Sequence, residues 1–172
     1  MIILIDAGNT RIKAGWVNPD TGERELTVVA FQHADLDQLA HWLGTLPLPP
    51  TSALGVNVAG PTVAAAIEKI LSKHNCSTEW VTGEPQTLNV TNAYANPEQL
   101  GSDRWLALLG LAQRPHPQLE HAGTAPCPLI LAGFGTATTI DTLVVRKAGD
   151  ETQADNLHYQ FPGGLILTGP AL

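Results

Sequence analysis

A chain of 172 residues with 44% apolar and 15% charged side chains can bury a real core, and its length suits one domain and part of a second. Its net charge of −7 argues against a sequence-independent nucleic-acid surface, which needs a stripe of Lys and Arg. No apolar run is long enough to cross a bilayer, and no basic stretch precedes the strand-like start at Ile2, so a cytoplasmic protein without a signal peptide is expected.

In chain order, the apolar run Ile2–Ile5 reads as a strand buried on both faces. Residues 6–10 have a turn composition, Arg11–Val17 a second strand, and Leu26–Phe31 a third beyond the turn at 18–22, so an antiparallel meander is expected. Leu36, Leu39, Ala40 and Leu43 recur at helical spacing, and Pro47, Pro49 and Pro50 end that helix. Ala53–Val58 reads as a strand parallel to its neighbours. Pro61 suits the first position of a helix carrying Val63, Ile67, Ile70 and Leu71, and Thr78–Val81 is the next strand.

Asn96-Pro97-Glu98-Gln99 has the form of a helix start, with the helix running through Trp105 to Leu111. The Pro/Gly/Ala-rich stretch 116–128 reads as a linker between a first domain at 1–115 and the start of a second at 129–172. Beyond it, Leu129–Leu131, the glycine turn around Gly135 and Thr138–Val145 again read strand, turn, strand, and Phe161–Gly169 closes the chain after a charged loop at 147–155. Cys76 and Cys127 match no metal spacing and are expected as free thiols, and the six histidines form no H-x-x-H or H-x-x-x-H ligand pair.

The most informative feature is an internal echo. The segments 5–12 and 132–139 each carry an apolar strand into a glycine turn, then small hydroxyl or amide residues, then a second strand. Such turns let backbone N–H groups approach an anion, so two of them facing across a cleft could clamp the phosphates of a nucleotide. A carboxylate at the strand end, Asp6, suits a role through a metal ion. Either turn alone is equally an ordinary hairpin, and no Walker or Rossmann glycine pattern is present.

Four motifs in order, Asp6-Ala7-Gly8-Asn9-Thr10, Gly101-Ser102-Asp103-Arg104, Gly135-Thr136-Ala137-Thr138-Thr139 and Gly163-Gly164-Leu165-Ile166, together resemble type III pantothenate kinase. The resemblance implies an α/β fold of the acetate and sugar kinase/Hsp70/actin superfamily: a duplicated, ribonuclease H-like domain with a mixed sheet flanked by helices. It implies ATP-dependent phosphorylation of pantothenate in coenzyme A synthesis, with ATP and pantothenate as partners and a homodimer as the assembly. Residues Asp6, Ala7, Gly8, Asn9, Thr10, Arg11, Ile12 and Lys13 would form the first phosphate turn, with Asp6 holding Mg²⁺ through water. Thr136 would bind ATP from the second turn. Tyr94, Gly101, Ser102, Asp103 and Arg104 would hold pantothenate, with Asp103 as general base and Arg104 as the cation for the substrate carboxylate or the transferring charge.

Two departures qualify this picture. Gly133 stands where the family often has an aspartate that binds K⁺ or NH₄⁺, and Thr168 stands where it usually has proline. Family members also continue well beyond the closing glycine motif, so the second domain is expected to be incomplete here. A non-catalytic ATP-binding or transcription-accessory regulator on the same scaffold is the alternative reading. A sugar or acetate kinase of the superfamily is a third, on fold analogy alone.

Overall fold

The computed structural model describes residues 1–116, 127–135, 137–147 and 157–168. The chain divides into two compact units, Met1–Thr82 and Gly83–Leu172, each built on a five-stranded mixed sheet.

The first unit opens with β1 (Ile2–Ala7), β2 (Ile12–Val17) and β3 (Val29–Phe31), the expected antiparallel meander, with Ile5 opposite Ala14 and Ile12 opposite Phe31. A short 3-10 turn at His33–Asp35 leads into α1 (Asp37–Leu43). Next come β4 (Ser52–Asn57), α2 (Pro61–Ser72) and β5 (Ser77–Trp80). Strand β4 lies parallel to β1 and β5 parallel to β4, so the spatial order is β3-β2-β1-β4-β5. Pro61 starts α2 as its fixed φ allows, directly after Gly60 at φ 96°.

The pleat sends Ile3, Ile5 and Ala7 to one face, where they join Leu39 and Leu43 of α1 and Ile67 and Leu71 of α2 in one buried cluster. β1 was expected to be buried on both faces, but Leu4, on the opposite face, is 41% exposed. An apolar run is compatible with either arrangement; where the helices pack decides between them, and these two helices pack against the face that Ile3 and Ile5 share.

The second unit begins earlier than composition suggests. Beyond the short strands β6 (Gln86–Thr87) and β7 (Val90–Asn92) comes α3 (Ser102–Ala112). Strands β8 (Cys127–Phe134), β9 (Ala137–Lys147) and β10 (Leu157–Thr168) then form a second antiparallel meander, and the sheet order is β6-β7-β10-β9-β8. Strand β7 runs parallel to β10, and the pairing is reinforced by Tyr159 N–H on the Asn89 carbonyl at 2.8 Å and Asn89 Nδ2 on the Leu157 carbonyl at 2.9 Å. Residues 83–115, assigned to a first domain from sequence, therefore lie with the second sheet. Most of the 116–128 linker and of the 147–155 loop falls outside the described residues.

The helix expected from Asn96 also divides. Pro97–Gln99 is a single 3-10 turn, Leu100 and Gly101 are extended at ψ 120° and 134°, and α3 starts at Ser102. The buried Trp105, Leu108, Leu109 and Ala112 then follow helical spacing and form its inner face. Both cysteines are free thiols, as expected; Cys76 is buried, and burial pushes its thiol pKa up. Among the described residues, no helix is long and apolar enough to cross a membrane.

The hairpin joining β6 to β7 places Leu88 at φ 53°, in the left-handed region, with its side chain 66% exposed. An L-residue pays for that conformation sterically, and here little burial compensates. Leu88→Gly is expected to stabilise the second unit by about 0.5–1 kcal/mol, read as a higher denaturant midpoint; an unchanged or lower midpoint would contradict this.

Candidate active site

The first glycine turn joins β1 to β2. Asp6 and Lys13 face each other in register, and Lys13 Nζ lies 2.8 Å from Asp6 Oδ2 with both side chains substantially exposed. An ion pair in that setting contributes little to stability, so both groups remain open to a charged ligand at small cost. Gly8 N–H donates to the Arg11 carbonyl at 3.0 Å, closing the turn, while the Gly8 carbonyl contacts His33 Nε2 at 2.8 Å. That contact requires a proton on Nε2, which both the imidazolium and one neutral tautomer supply.

The expected phosphate set thus separates by role. Ala7 and Ile12 are 0% exposed and belong to the core, the Gly8 amide is already paired, and Asn9, Thr10, Arg11 and Lys13 form the exposed rim. His33 was not anticipated. A lone histidine 25 residues away carries no sequence signal for a contact with a turn carbonyl.

The second locus is built where α3 meets β9 and β10. On β9 the inward-facing residues are Asp141, Leu143 and Val145, alternating as a half-buried strand requires. Asp141 is 1% exposed, and its carboxylate accepts two N–H groups of Arg104: Nε to Oδ2 at 3.1 Å, and a short contact between Nη2 and Oδ1. This is the bidentate geometry that a planar guanidinium favours. The hydrogen bond that Arg104 donates to Asp141 holds the Arg104 pKa above its usual value, burial works against it, and the Asp141 charge and Tyr94 add to the rise. The guanidinium carbon also stands 6.0 Å from the Phe161 ring centroid, and Phe161 packs on Tyr94 at 5.4 Å between centroids.

The closing glycine motif accounts for the space this pair occupies. β10 slips register against β9 between Gln160 and Gly163, where Pro162 has no N–H to give the ladder and Gly163 sits at φ 150°. That bulge places Gly164 directly opposite Asp141. A Cβ at Gly164 would fall 2.0 Å from Asp141 Oδ1 and 2.7 Å from Arg104 Nη2, so the carboxylate and guanidinium fill the volume a side chain would take. Asp103, by contrast, is exposed in the first turn of α3, and its Oδ1 accepts the Arg104 backbone N–H at 2.8 Å. Ser102 is buried and Gly101 is the residue before the helix.

A sequence profile described as type III pantothenate kinase matches residues 2–172. The chain belongs to this family. It is 46% identical to the type III pantothenate kinase of Bordetella bronchiseptica, over 100% of this chain and 58% of that protein, and 48% identical to that of Bordetella petrii, over 100% and 57%. The Burkholderia thailandensis protein of the same name is 39% identical over 99% and 56%. The chain therefore spans a little over half the length of the curated relatives it matches. Among solved structures, an exopolyphosphatase-like protein aligns with 97% of the chain and 50% of its own at 12% identity and a TM-score of 0.39, too remote to bear on fold or function.

Within the pantothenate kinase family pattern, the Gly101–Arg104 motif and the closing glycines converge: Arg104 is tied to Asp141, and Gly164 makes room for both. Tyr94 stands beside them, half-buried against Phe161. Thr136 lies outside the described residues. Gly133 brings no carboxylate to the position usually given to an aspartate, and a Cβ there would meet Thr139 Oγ1 at 2.7 Å and require that side chain to shift, so the residues present do not fit a carboxylate-held monovalent cation. Mg²⁺ fits better. Among the described residues no cluster of three metal-ligating side chains occurs, and a single exposed carboxylate such as Asp6 suits an ion that keeps its waters and binds mainly to phosphates.

Gly164→Ala is expected to destabilise the second unit by about 3 kcal/mol, because the new methyl must displace one half of a buried ion pair. Thermal or denaturant unfolding reads this directly, and a loss below about 1 kcal/mol would show that the pair can move aside.

Proposed function

We propose that the whole protein transfers the γ-phosphoryl group of ATP to the primary hydroxyl of pantothenate. The observation that carries the reading is the family match across the whole chain, joined to a Gly-Ser-Asp-Arg helix start at which Asp103 is exposed and Arg104 is held. Asp103 accepts the hydroxyl proton as the new O–P bond forms and the bond to the leaving ADP breaks. Arg104 binds the substrate carboxylate and so fixes the distance from that anchor to the reacting alcohol.

The first turn receives the nucleotide. Its exposed rim of Asn9, Thr10 and Arg11 offers donors to the phosphates, and Lys13 can exchange its carboxylate partner for a phosphate oxygen. Mg²⁺, when bound with ATP, supplies charge neutralisation across the phosphates, and Asp6 is the carboxylate that would hold it. Thr136 contributes from the second turn in this reading.

The architecture supports it. The order β3-β2-β1-β4-β5, with an antiparallel meander followed by parallel strands, is the order that a ribonuclease H-like reading expects, and β8-β9-β10 is again an antiparallel meander. In the duplicated plan, the second unit would carry the start of the repeat, a homodimer would be the assembly and the cytoplasm the compartment. The absence of an aspartate at Gly133 and the short second domain, which motivate the reading as a non-catalytic regulator, leave Asp6, Asp103 and Arg104 in place.

The decisive assay follows phosphate transfer from ATP to pantothenate by the intact protein and its Asp103→Asn variant. The variant is expected to lose about 100-fold or more in kcat with the KM for ATP little changed. Unchanged turnover would remove Asp103 from the role of base.

A further inference from the structure

Arg104 has five N–H donors in a fixed fork, and Asp141 occupies two of them, one on Nε and one on Nη2. Tyr94 also hydrogen-bonds to the guanidinium, so the donors that face a ligand are those that neither Asp141 nor Tyr94 takes. The fork cannot rotate away from that arrangement without leaving Asp141, 1% exposed, as an unpaired charge in the interior. Phe161 lies against the guanidinium, and Gly164 gives the pair its volume.

Two properties follow for a ligand. The cation is pre-oriented, so a carboxylate docking on its remaining edge need not immobilise a flexible side chain. The guanidinium itself offers N–H donors only, with no acceptor. A neutral hydroxyl placed there can accept a hydrogen bond but brings no charge, whereas a carboxylate adds the attraction of an ion pair and can take two parallel N–H bonds.

We infer that Asp141, given room by Gly164, is the positioning residue that aims Arg104 and thereby sets the preference for a carboxylate-bearing alcohol over its neutral analogue. The inference rests on the reading of Arg104 as the substrate-carboxylate ligand. Asp141 itself touches no substrate and acts through the guanidinium. An unfixed Arg104 keeps its charge but spreads it over many rotamers, so discrimination falls while the phosphate-handling turn in the first unit is untouched.

The test compares pantothenate with panthenol, in which a hydroxymethyl group replaces the carboxylate, in the intact protein. The wild type is expected to favour pantothenate in kcat/KM. Asp141→Asn is expected to cut that preference about tenfold, chiefly through the KM for pantothenate, with the KM for ATP unchanged. In an Arg104→Ala background, which should abolish the preference, Asp141→Asn is expected to change it no further.

A purely structural Asp141 would lower both substrates by one factor and leave their ratio intact, and that result overturns the inference. If Asp141→Asn does not fold, Asp141→Glu keeps the charge but shifts the guanidinium by a methylene; the ratio is read in the same way, and an intact ratio is again fatal. A wild type that transfers phosphate to neither compound would defeat the kinase reading instead. In that case calorimetric affinities for the two compounds replace kcat/KM: a preference for pantothenate that Asp141→Asn removes supports the inference, and equal affinities in the wild type overturn it.

Discussion

An ionised carboxylate that has left water needs a cation, and Asp141 finds one in Arg104 on a different element of the second unit. Much else in that unit answers to this requirement. α3 must approach β9 closely enough for a bidentate contact, the strand facing Asp141 must carry no side chain, and the chain must slip register just before that point. The break at Leu100 and Gly101, the Pro162-Gly163 bulge and Gly164 are separate in sequence but serve one spatial condition. A hydrophobic pair in the same volume could be as stable. An arginine with a defined direction is what the charged pair adds.

The two glycine turns look alike in sequence, yet their surroundings differ. In the first unit, β1 sits inside the sheet between β2 and β4 and is covered by helices on the face that Ile3 and Ile5 share. In the second, β8 is an edge strand, with Ile130 67% and Phe134 84% exposed. A shared strand-turn-strand plan sets the hairpin; sheet position and helix cover come from the segments that follow.

Much of the fold was legible because its cues are local. The meander, the parallel β4 and the Pro61 helix all announce themselves through turn residues and periodicity. The short strands β6 and β7 do not. Two and three residues carry no pattern; β7 is placed by pairing with β10 nearly seventy positions away, and β6 by pairing with β7. For the same reason the boundary was expected near the proline-rich stretch rather than at Thr82. At the site, the motifs pointed to Asp6, Asp103 and Arg104, whereas Asp141 lies on the strand after the second turn and belongs to none of them. Its signal was present as a carboxylate in the inward-facing register of Leu143 and Val145, but that reads as significant only once its partner is known.

The first turn carries a different lesson in the pairing of Gly8. Its amide is spent on Arg11 and its carbonyl on His33, so the glycine that seemed best suited to greet an anion offers it neither dipole. What Gly8 supplies is curvature, locked from inside the loop and braced from the 3-10 turn at His33. The entropy of shaping the loop is therefore lost when the chain folds, and whatever docks on its rim meets a frame already set.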